Sequence, residues 1–170
     1  MWGGVEMAAV IHRTAAVVMI ITSIYHVGYV LHMFRTGRLT FAMMPTTKDF
    51  SDMMGMMRYY FGLQKEKPKF GKFTYWEKFD YWAVFWGMFI MVGSGLILWF
   101  PVRAVSILPV WSLGLAKVAH SEEALLAASA IFLWHFYNVH LKPDVFPMSW
   151  VWITGRISKQ QMQEQHPLEY

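Results

Sequence analysis

Three long runs of the sequence contain no Asp, Glu, Lys or Arg and consist largely of apolar residues. They cover residues 14–34, 81–102 and 124–141, and are 21, 22 and 18 residues long. A helix needs roughly 20 such residues to cross the hydrocarbon layer of a membrane. The pattern therefore predicts three transmembrane helices, at about residues 10–34, 79–100 and 119–141.

The connecting segments are more polar and add one further element. Residues 35–78 form a long loop, and residues 142–170 form a polar tail. Within the loop, residues 49–63 place apolar side chains at helical spacing, which predicts a helix lying along the membrane surface. The predicted fold class is an all-α integral membrane bundle of three transmembrane helices plus this interfacial helix, forming one membrane domain over residues 1–170.

The basic residues are concentrated in one loop. Nine of the 15 Lys and Arg residues lie between positions 35 and 78. Positively charged loops remain in the cytoplasm, so this pattern places the loop and the C-terminal tail inside and the N-terminus outside. We expect a multi-pass protein of the bacterial cytoplasmic membrane, and the clustering accounts for the net charge of +4 without a nucleic-acid partner.

Composition narrows the chemistry. Hydrophobic residues make up 56% of the chain and charged residues only 15%, which is typical of membrane proteins. The first apolar run is too long for a signal peptide and has no convincing cleavage site, so we expect it to be retained. The sequence has no cysteine, which excludes disulfides, covalently attached c-type haem and cysteine-bound iron–sulfur clusters within this chain.

Four histidines lie at matched positions in the first and third predicted helices. His12 and His26 are 14 positions apart, and His120 and His135 are 15 apart. Each pair is therefore separated by roughly 21–22 Å along its helix and by about 40–60° around it. Polar groups in hydrocarbon are costly and tend to mark function. Because the two helices run in the same direction, His12 is expected to meet His120 near the outer face, and His26 to meet His135 towards the inner face.

Paired imidazoles at two depths can supply two axial ligands to each of two haem irons. We therefore expect two haem b groups, with His12 and His120 on the outer iron and His26 and His135 on the inner iron. Arg13 either snorkels to the interface or pairs with a haem propionate. His32 and His140 are placed at the inner interface, as snorkelling residues or as contacts to a quinone, a propionate or an alternative iron.

Other polar and small residues suit supporting roles. Three glycines between residues 87 and 95 permit close approach of a helix or a flat ring. Ser121 is a candidate cap for the third helix, with Glu122 and Glu123 facing its dipole or serving proton transfer or haem solvation. Residues 77–80, with three charges, are interface residues or a proton route to a quinone.

These features resemble a known family. The histidine spacings are similar to those in the two-haem core of cytochrome b6, and the order of features resembles the formate dehydrogenase gamma subunits and related cytochromes b. The shared features are Ile11-His12-Arg13 opening a helix, a basic loop with an interfacial helix, a glycine-containing helix ending in Trp99-Phe100-Pro101, and a tail with His166-Pro167. The resemblance implies electron transfer between a quinone and an outer-facing partner, such as a multihaem c-type cytochrome or a molybdoenzyme.

The chain departs from the gamma-subunit pattern at its start. Those proteins begin with a further helix that carries a haem ligand, and no such segment precedes Met1. Either His26 replaces that ligand, or a partner subunit supplies a transmembrane helix and His135 or His140 binds haem against it. The first arrangement needs nothing outside this chain.

The sequence thus favours a di-haem b-type electron-transfer subunit of a respiratory oxidoreductase complex, with any quinone site shared with neighbours. No nucleophile, phosphate loop or hydride-cofactor motif indicates catalysis by this chain alone. One alternative is a haem-free membrane anchor for a peripheral enzyme, which leaves the matched histidines unexplained. Another is a transporter or channel subunit using the histidines as a proton path, although the charge-free runs of the helices contain no carboxylate and the sequence has no inverted repeat.

Overall fold

In a computed structural model, which describes residues 3–143 and 145–170, the chain consists of helices joined by turns, with no β-strand among these residues. The helices are α1 (Gly4–Arg35), α2 (Thr47–Tyr60), α3 (Tyr75–Trp99), α4 (Pro101–Val105), α5 (Trp111–Ala130), α6 (Val151–Thr154) and α7 (Lys159–Gln165). Two π-helical segments, Ile131–His135 and Tyr137–Leu141, continue α5. The predicted all-α class is confirmed.

Three of the described helices are long and apolar enough to cross a membrane. They are Gly4–Arg35, Tyr75–Trp99 and Trp111–Leu141. The prediction of three such helices is confirmed, and each helix begins before its charge-free run. Polar residues can form the first turns of these helices when their side chains bond to the backbone at the helix start.

The start of α3 illustrates how this extension works. The Thr74 backbone N–H and hydroxyl both donate to Glu77 Oε2, each over 2.7 Å. This capping box satisfies groups that the first helical turn would otherwise leave unbonded. Glu77, considered above as an interface charge or part of a proton route, therefore has a structural role in starting α3 at Tyr75.

The predicted start of the third helix is corrected. Ser121 does not cap it, because the helix begins at Trp111 and Ser121 Oγ donates to Lys117 O over 2.8 Å inside α5. Glu122 and Glu123 accordingly lie in the body of α5, away from its N-terminal dipole. The segment between the second and third predicted spans contains α4 and the first turns of α5.

The chain forms two compact units. Residues 1–41, which include α1, form one, and residues 42–170 form the other. Within its unit, α1 exposes apolar side chains around its circumference, including Ile11, Val18 and Ile24. A helix that is apolar on all sides needs lipid or protein around it, which fits a membrane span.

In the second unit, α3 and α5 pack as an antiparallel hairpin through small side chains. Gly87 and Ser94 of α3 and Ser112 and Ala116 of α5 are buried. Small residues let two helix backbones approach closely where lipid provides no hydrophobic driving force between helices. The register of this hairpin fixes which side chains of the two helices meet.

A second set of contacts holds α2 against the beginning of α3. Lys78 Nζ lies 2.9 Å from both carboxylate oxygens of Asp49, whose Oδ2 also accepts from the Thr46 N–H over 2.6 Å. The Trp82 indole N–H donates to Met43 O over 3.0 Å. The helix expected in the loop is therefore present as α2, and its position along the membrane surface stays a prediction.

The environment of Asp49 links this junction to pH. Burial alone would raise the pKa of Asp49, but hydrogen bonds from Lys78 and Thr46, with the charge of Lys78, outweigh burial and hold the pKa below its usual value. Because the pKa of Asp49 is lower in the folded state than in the unfolded state, Asp49 stabilises the fold at pH values above its unfolded-state pKa. That stabilisation is lost as pH falls through the lower, folded-state pKa.

We expect Asp49→Asn to lower the free energy of unfolding by about 1–3 kcal/mol at pH 7, because it leaves the Lys78 ammonium with a weaker acceptor at a site where both side chains are only 11–15% exposed. Thermal unfolding in detergent from pH 7 to pH 3 measures this. The variant should also lose part of the acid dependence of the native protein.

Lys48→Ala is the matched control. Lys48 pairs with Asp52 in the same helix but is 52% exposed, so its removal should change stability by about 1 kcal/mol or less. Equal effects of the two variants would contradict the structural role of the Asp49–Lys78 pair.

Candidate functional site

His120 lies on α5 against a small-residue patch of α3. Its Nδ1 is 3.0 Å from Ser94 Oγ. A Cβ atom on the neighbouring Gly95 would lie 3.2 Å from His120 Cε1, closer than a side chain normally sits to a ring. The glycine therefore provides the space that the imidazole occupies, as the sequence predicted for Gly95.

His135 lies at the opposite end of the same helix pair. Its Nδ1 is 3.3 Å from Asp80 Oδ2, near the beginning of α3. Asp80 is thus not a simple interface charge, because its carboxylate contacts a histidine that the sequence singled out. The imidazole remains about half exposed, at 56% of its side-chain surface.

The two contacts define the spacing of the site. Asp80 and Ser94 are 14 positions apart on α3, which corresponds to about 21 Å along the helix. Because α5 runs antiparallel to α3, His135 and His120 are held at these two levels. Within this unit the two α5 histidines are therefore separated by about 21 Å along the helix pair.

The π-helical segment explains why both histidines face α3. A regular α-helix would place His135 about 60° around the axis from His120. Residues Ile131–His135 adopt the wider π-helix, in which each residue turns the chain through a smaller angle. A smaller turn per residue reduces this angle and brings His135 towards the face that carries His120.

Between these levels, Glu123 packs against α3. A Cβ atom on Gly87 would collide with Glu123 Oε1, so this carboxylate lies directly over the glycine, near the middle of α3. Glu123 therefore sits between the two histidine levels. The sequence missed this position because it placed Glu123 at a helix start.

A cavity of about 280 Å³ opens beside His135. The beginning of α3, the π-helical end of α5 and the C-terminal tail surround it. Its polar or charged lining residues are Thr74, Glu77, Asp80, His135, Asn138, Lys142, Ser149, Gln165 and His166. His166 holds the tail in place, since its Nδ1 lies 2.7 Å from Gly71 O. Sequence reasoning had predicted no role for His166 beyond its family motif.

The remaining predicted site residues are distributed over both units. His12, Arg13, His26 and His32 lie on α1, with 14 positions, or about 21 Å, between His12 and His26. The pairing of these histidines with those of α5 stays a prediction, as does the propionate contact of Arg13. His140 lies in the last π-helical segment with its ring 4.7 Å from that of Phe136, and it does not line the cavity.

Ser94 is the site residue that sequence reasoning missed entirely. It lies between two glycines, Gly93 and Gly95, and the small-residue cluster was noted without its hydroxyl. Of the two glycines, Gly95 contacts His120, whereas a Cβ atom on Gly93 would meet open space. The sequence signal that could have identified Ser94 was a polar residue between two glycines in a charge-free run.

The two histidines of α5 suit a metal ion that a cofactor also coordinates. Among residues 3–143 and 145–170, no three His, Asp or Glu side chains converge as a protein-only metal site would require. A haem iron needs only one or two protein ligands, and imidazole is a common one. Two separated histidines, each with a hydrogen-bonded Nδ1, therefore fit haem better than a bare ion.

Comparison with known proteins gives a distant similarity. The chain is 21% identical over 142 residues to the cytochrome b556(Fdn) subunit of the nitrate-inducible formate dehydrogenase from Escherichia coli strain K12, and equally to its counterparts in Escherichia coli O157:H7 and Shigella flexneri. The matched region covers 84% of this chain and 63% of each relative. The chain thus spans less than two thirds of these relatives, and the similarity supports a cytochrome b family.

No protein-family model matches the chain, and no solved structure matches it.

The hairpin geometry yields a prediction for the glycines of α3. Gly87→Leu should destabilise the helix pair by about 1–3 kcal/mol, because the added side chain displaces Glu123 and separates the helices. Thermal unfolding of the detergent-solubilised protein measures the effect. Gly93→Leu is the control, since its side chain would point into open space; comparable losses in both variants would contradict the proposed close contact at Gly87.

Proposed function

We propose that the protein is a di-haem b-type cytochrome subunit of a membrane redox complex, which carries electrons across the bilayer between a quinone and a redox partner on the outer face. The observation that carries this proposal is the pair of α5 histidines about 21 Å apart, each bonded at Nδ1 by a side chain of α3. Similarity to a cytochrome b subunit supports the same conclusion.

The ligand chemistry fits haem. Metal-bound histidines usually donate their second ring N–H to a carboxylate, carbonyl or similar acceptor, which fixes the orientation of the ring. Ser94 and Asp80 are such acceptors for His120 and His135. When bound, haem b supplies a centre that accepts and releases one electron at a time.

Helix α1 would supply the opposite ligands. Its two histidines have nearly the same separation along the axis as those of α5, so His12 pairs with His120 and His26 with His135. Arg13 would bind a propionate of the outer haem through its guanidinium. In the alternative arrangement, a helix of a partner subunit replaces His26, and His135 or His140 binds against it.

The cavity beside His135 is suited to a quinone head group. Asn138 and Lys142 offer an amide and an ammonium as hydrogen-bond donors to quinone carbonyl oxygens, and Trp76 and Val139 offer apolar surface. A quinone there would lie next to the inner haem ligand, which allows direct electron exchange. His32 and His140 are secondary candidates for quinone contacts at the same membrane level.

Charge distribution sets the orientation. The basic loop before α3 would lie in the cytoplasm, so the His135 cavity faces inside and the α4–α5 connection faces outside. That connection exposes apolar side chains, with Val102 at 80%, Ile107 at 84% and Val110 at 74% of their surface. Lipid or an outer-facing partner, such as a multihaem c-type cytochrome or a molybdoenzyme, would cover them.

A reduced-minus-oxidised absorption spectrum of the purified complex, with pyridine extraction, tests the proposal directly. We expect b-type bands and two haems for each copy of this chain. A complex with no haem assigned to this chain would contradict the proposal and favour a haem-free role such as the membrane anchor.

Replacing single histidines tests the ligand assignment. His135→Ala should remove the inner haem and leave the outer one, whereas His140→Ala should retain both, because His140 lacks an Nδ1 partner on α3 in the described structure. The haem count per chain, measured by pyridine extraction, distinguishes the two. Loss of haem in His140→Ala alone would assign the inner iron to His140.

Filling the cavity tests the quinone site. Val139→Phe should slow reduction of the haem by a quinol at least tenfold while leaving the haem content unchanged, because the larger ring occupies the head-group space. Stopped-flow absorption at the b-type band follows this reaction. Leu141→Phe, on the same segment but outside the cavity, is the control; equal rates in both variants would place the quinone elsewhere.

A further inference from the structure

Helix α3 contains no histidine, yet it contacts both histidines of α5. Ser94 Oγ lies 3.0 Å from His120 Nδ1, and Asp80 Oδ2 lies 3.3 Å from His135 Nδ1. The two α3 residues are a neutral hydroxyl and a carboxylate. The two contacts therefore involve the same ring nitrogen of each histidine, but partners of different charge.

The hydrogen bonds of Ser94 determine the protonation of His120. The Ser94 hydroxyl donates its one hydrogen to Ile90 O, over 2.5 Å, and so can only accept from His120. Both contacts are hydrogen bonds at the same time only when the hydrogen between Ser94 and His120 is on His120 Nδ1. In the neutral ring this places the lone pair on Nε2, the nitrogen that would bind iron.

The same reasoning applies to His135. An ionised carboxylate is an acceptor only, so His135 Nδ1 carries the hydrogen that Asp80 accepts. The lone pair of the neutral ring is again on Nε2. Both α5 histidines are thus set in one tautomer, by α3 rather than by their own helix.

The difference in charge has an electronic consequence. A carboxylate that accepts the Nδ1–H draws the hydrogen towards itself and makes the imidazole a stronger donor to the metal, more than a neutral hydroxyl does. A stronger donor stabilises the oxidised, more positive iron and so lowers its reduction potential. The negative charge of Asp80 acts in the same direction.

We propose that α3 tunes the two haem sites separately, with Asp80 as a positioning residue that lowers the reduction potential at His135 and Ser94 as a neutral counterpart that orients His120. This inference rests on the proposed haem-binding function. It adds a role for two residues that bind no iron themselves.

The effect of the Asp80–His135 contact must be distinguished from the general effect of charged groups near Asp80. Glu77 and Lys142 line the same cavity, so removing any acidic residue there would shift the local potential to some degree. Glu77 lies one helical turn from Asp80 but bonds to Thr74. Glu77→Gln is therefore a matched control, since glutamine can also serve in a capping box.

The test is a potentiometric titration of the purified complex, followed by absorption in the b-type band. Asp80→Asn should shift the reduction equilibrium of one haem, the one lost in His135→Ala, by about tenfold towards the reduced form, which equals 59 mV for one electron. The other haem should keep its potential. Glu77→Gln should produce a clearly smaller shift.

The reciprocal variant is Ser94→Asp. It should lower the potential of the His120 haem and leave that of the His135 haem unchanged, and it decides the question if Asp80→Asn fails to retain haem. Unchanged potentials, an equal shift in both haems, or a shift in Glu77→Gln as large as that in Asp80→Asn would each overturn the tuning role. A native complex without haem would instead overturn the proposed function, which the spectrum alone reveals.

Discussion

The close packing of α3 against α5 is the constraint on which the rest of this structure depends. Lipid chains are as apolar as the helix surfaces, so the pair is held by van der Waals contact and interhelical hydrogen bonds. Gly87 and Ala116 allow the backbones to approach, and Ser94 and Asp80 add polar contacts to histidines. Sliding one helix by a single residue would move its side chains by about 1.5 Å and 100°, breaking both histidine contacts together.

The polar side chains at the beginning of α3 are stabilised in a different way, by polar partners. Thr74 and Glu77 complete the helix start, Lys78 pairs with Asp49 of α2, and Asp80 contacts His135. Each of these side chains has a polar partner, which offsets the cost of removing it from water. Consecutive turns of one helix thus connect the loop, the cavity and the histidine site.

The three long apolar helices were predictable from sequence, because charge-free runs of about 20 residues are strong, local signals. Helix starts were not, since α3 begins at the local capping box of Thr74 and Glu77, and α5 begins at Trp111, eight residues before the predicted start at about residue 119. The contacts of Asp80 and Ser94 were also out of reach. They depend on the antiparallel register and on the π-helical turns before His135, and neither leaves a periodic pattern in one sequence.

The proposed iron-binding histidines and the residues that hydrogen-bond to them lie on different helices, which has an evolutionary consequence. In the proposed site, the residues that would hold iron lie on α5, while the residues that set the electron-donating strength of each imidazole lie on α3. A single substitution at position 80 or 94 could then alter the driving force of one electron-transfer step without exchanging a ligand. Natural selection could then change the reduction potential of one haem site while leaving that of the other unchanged.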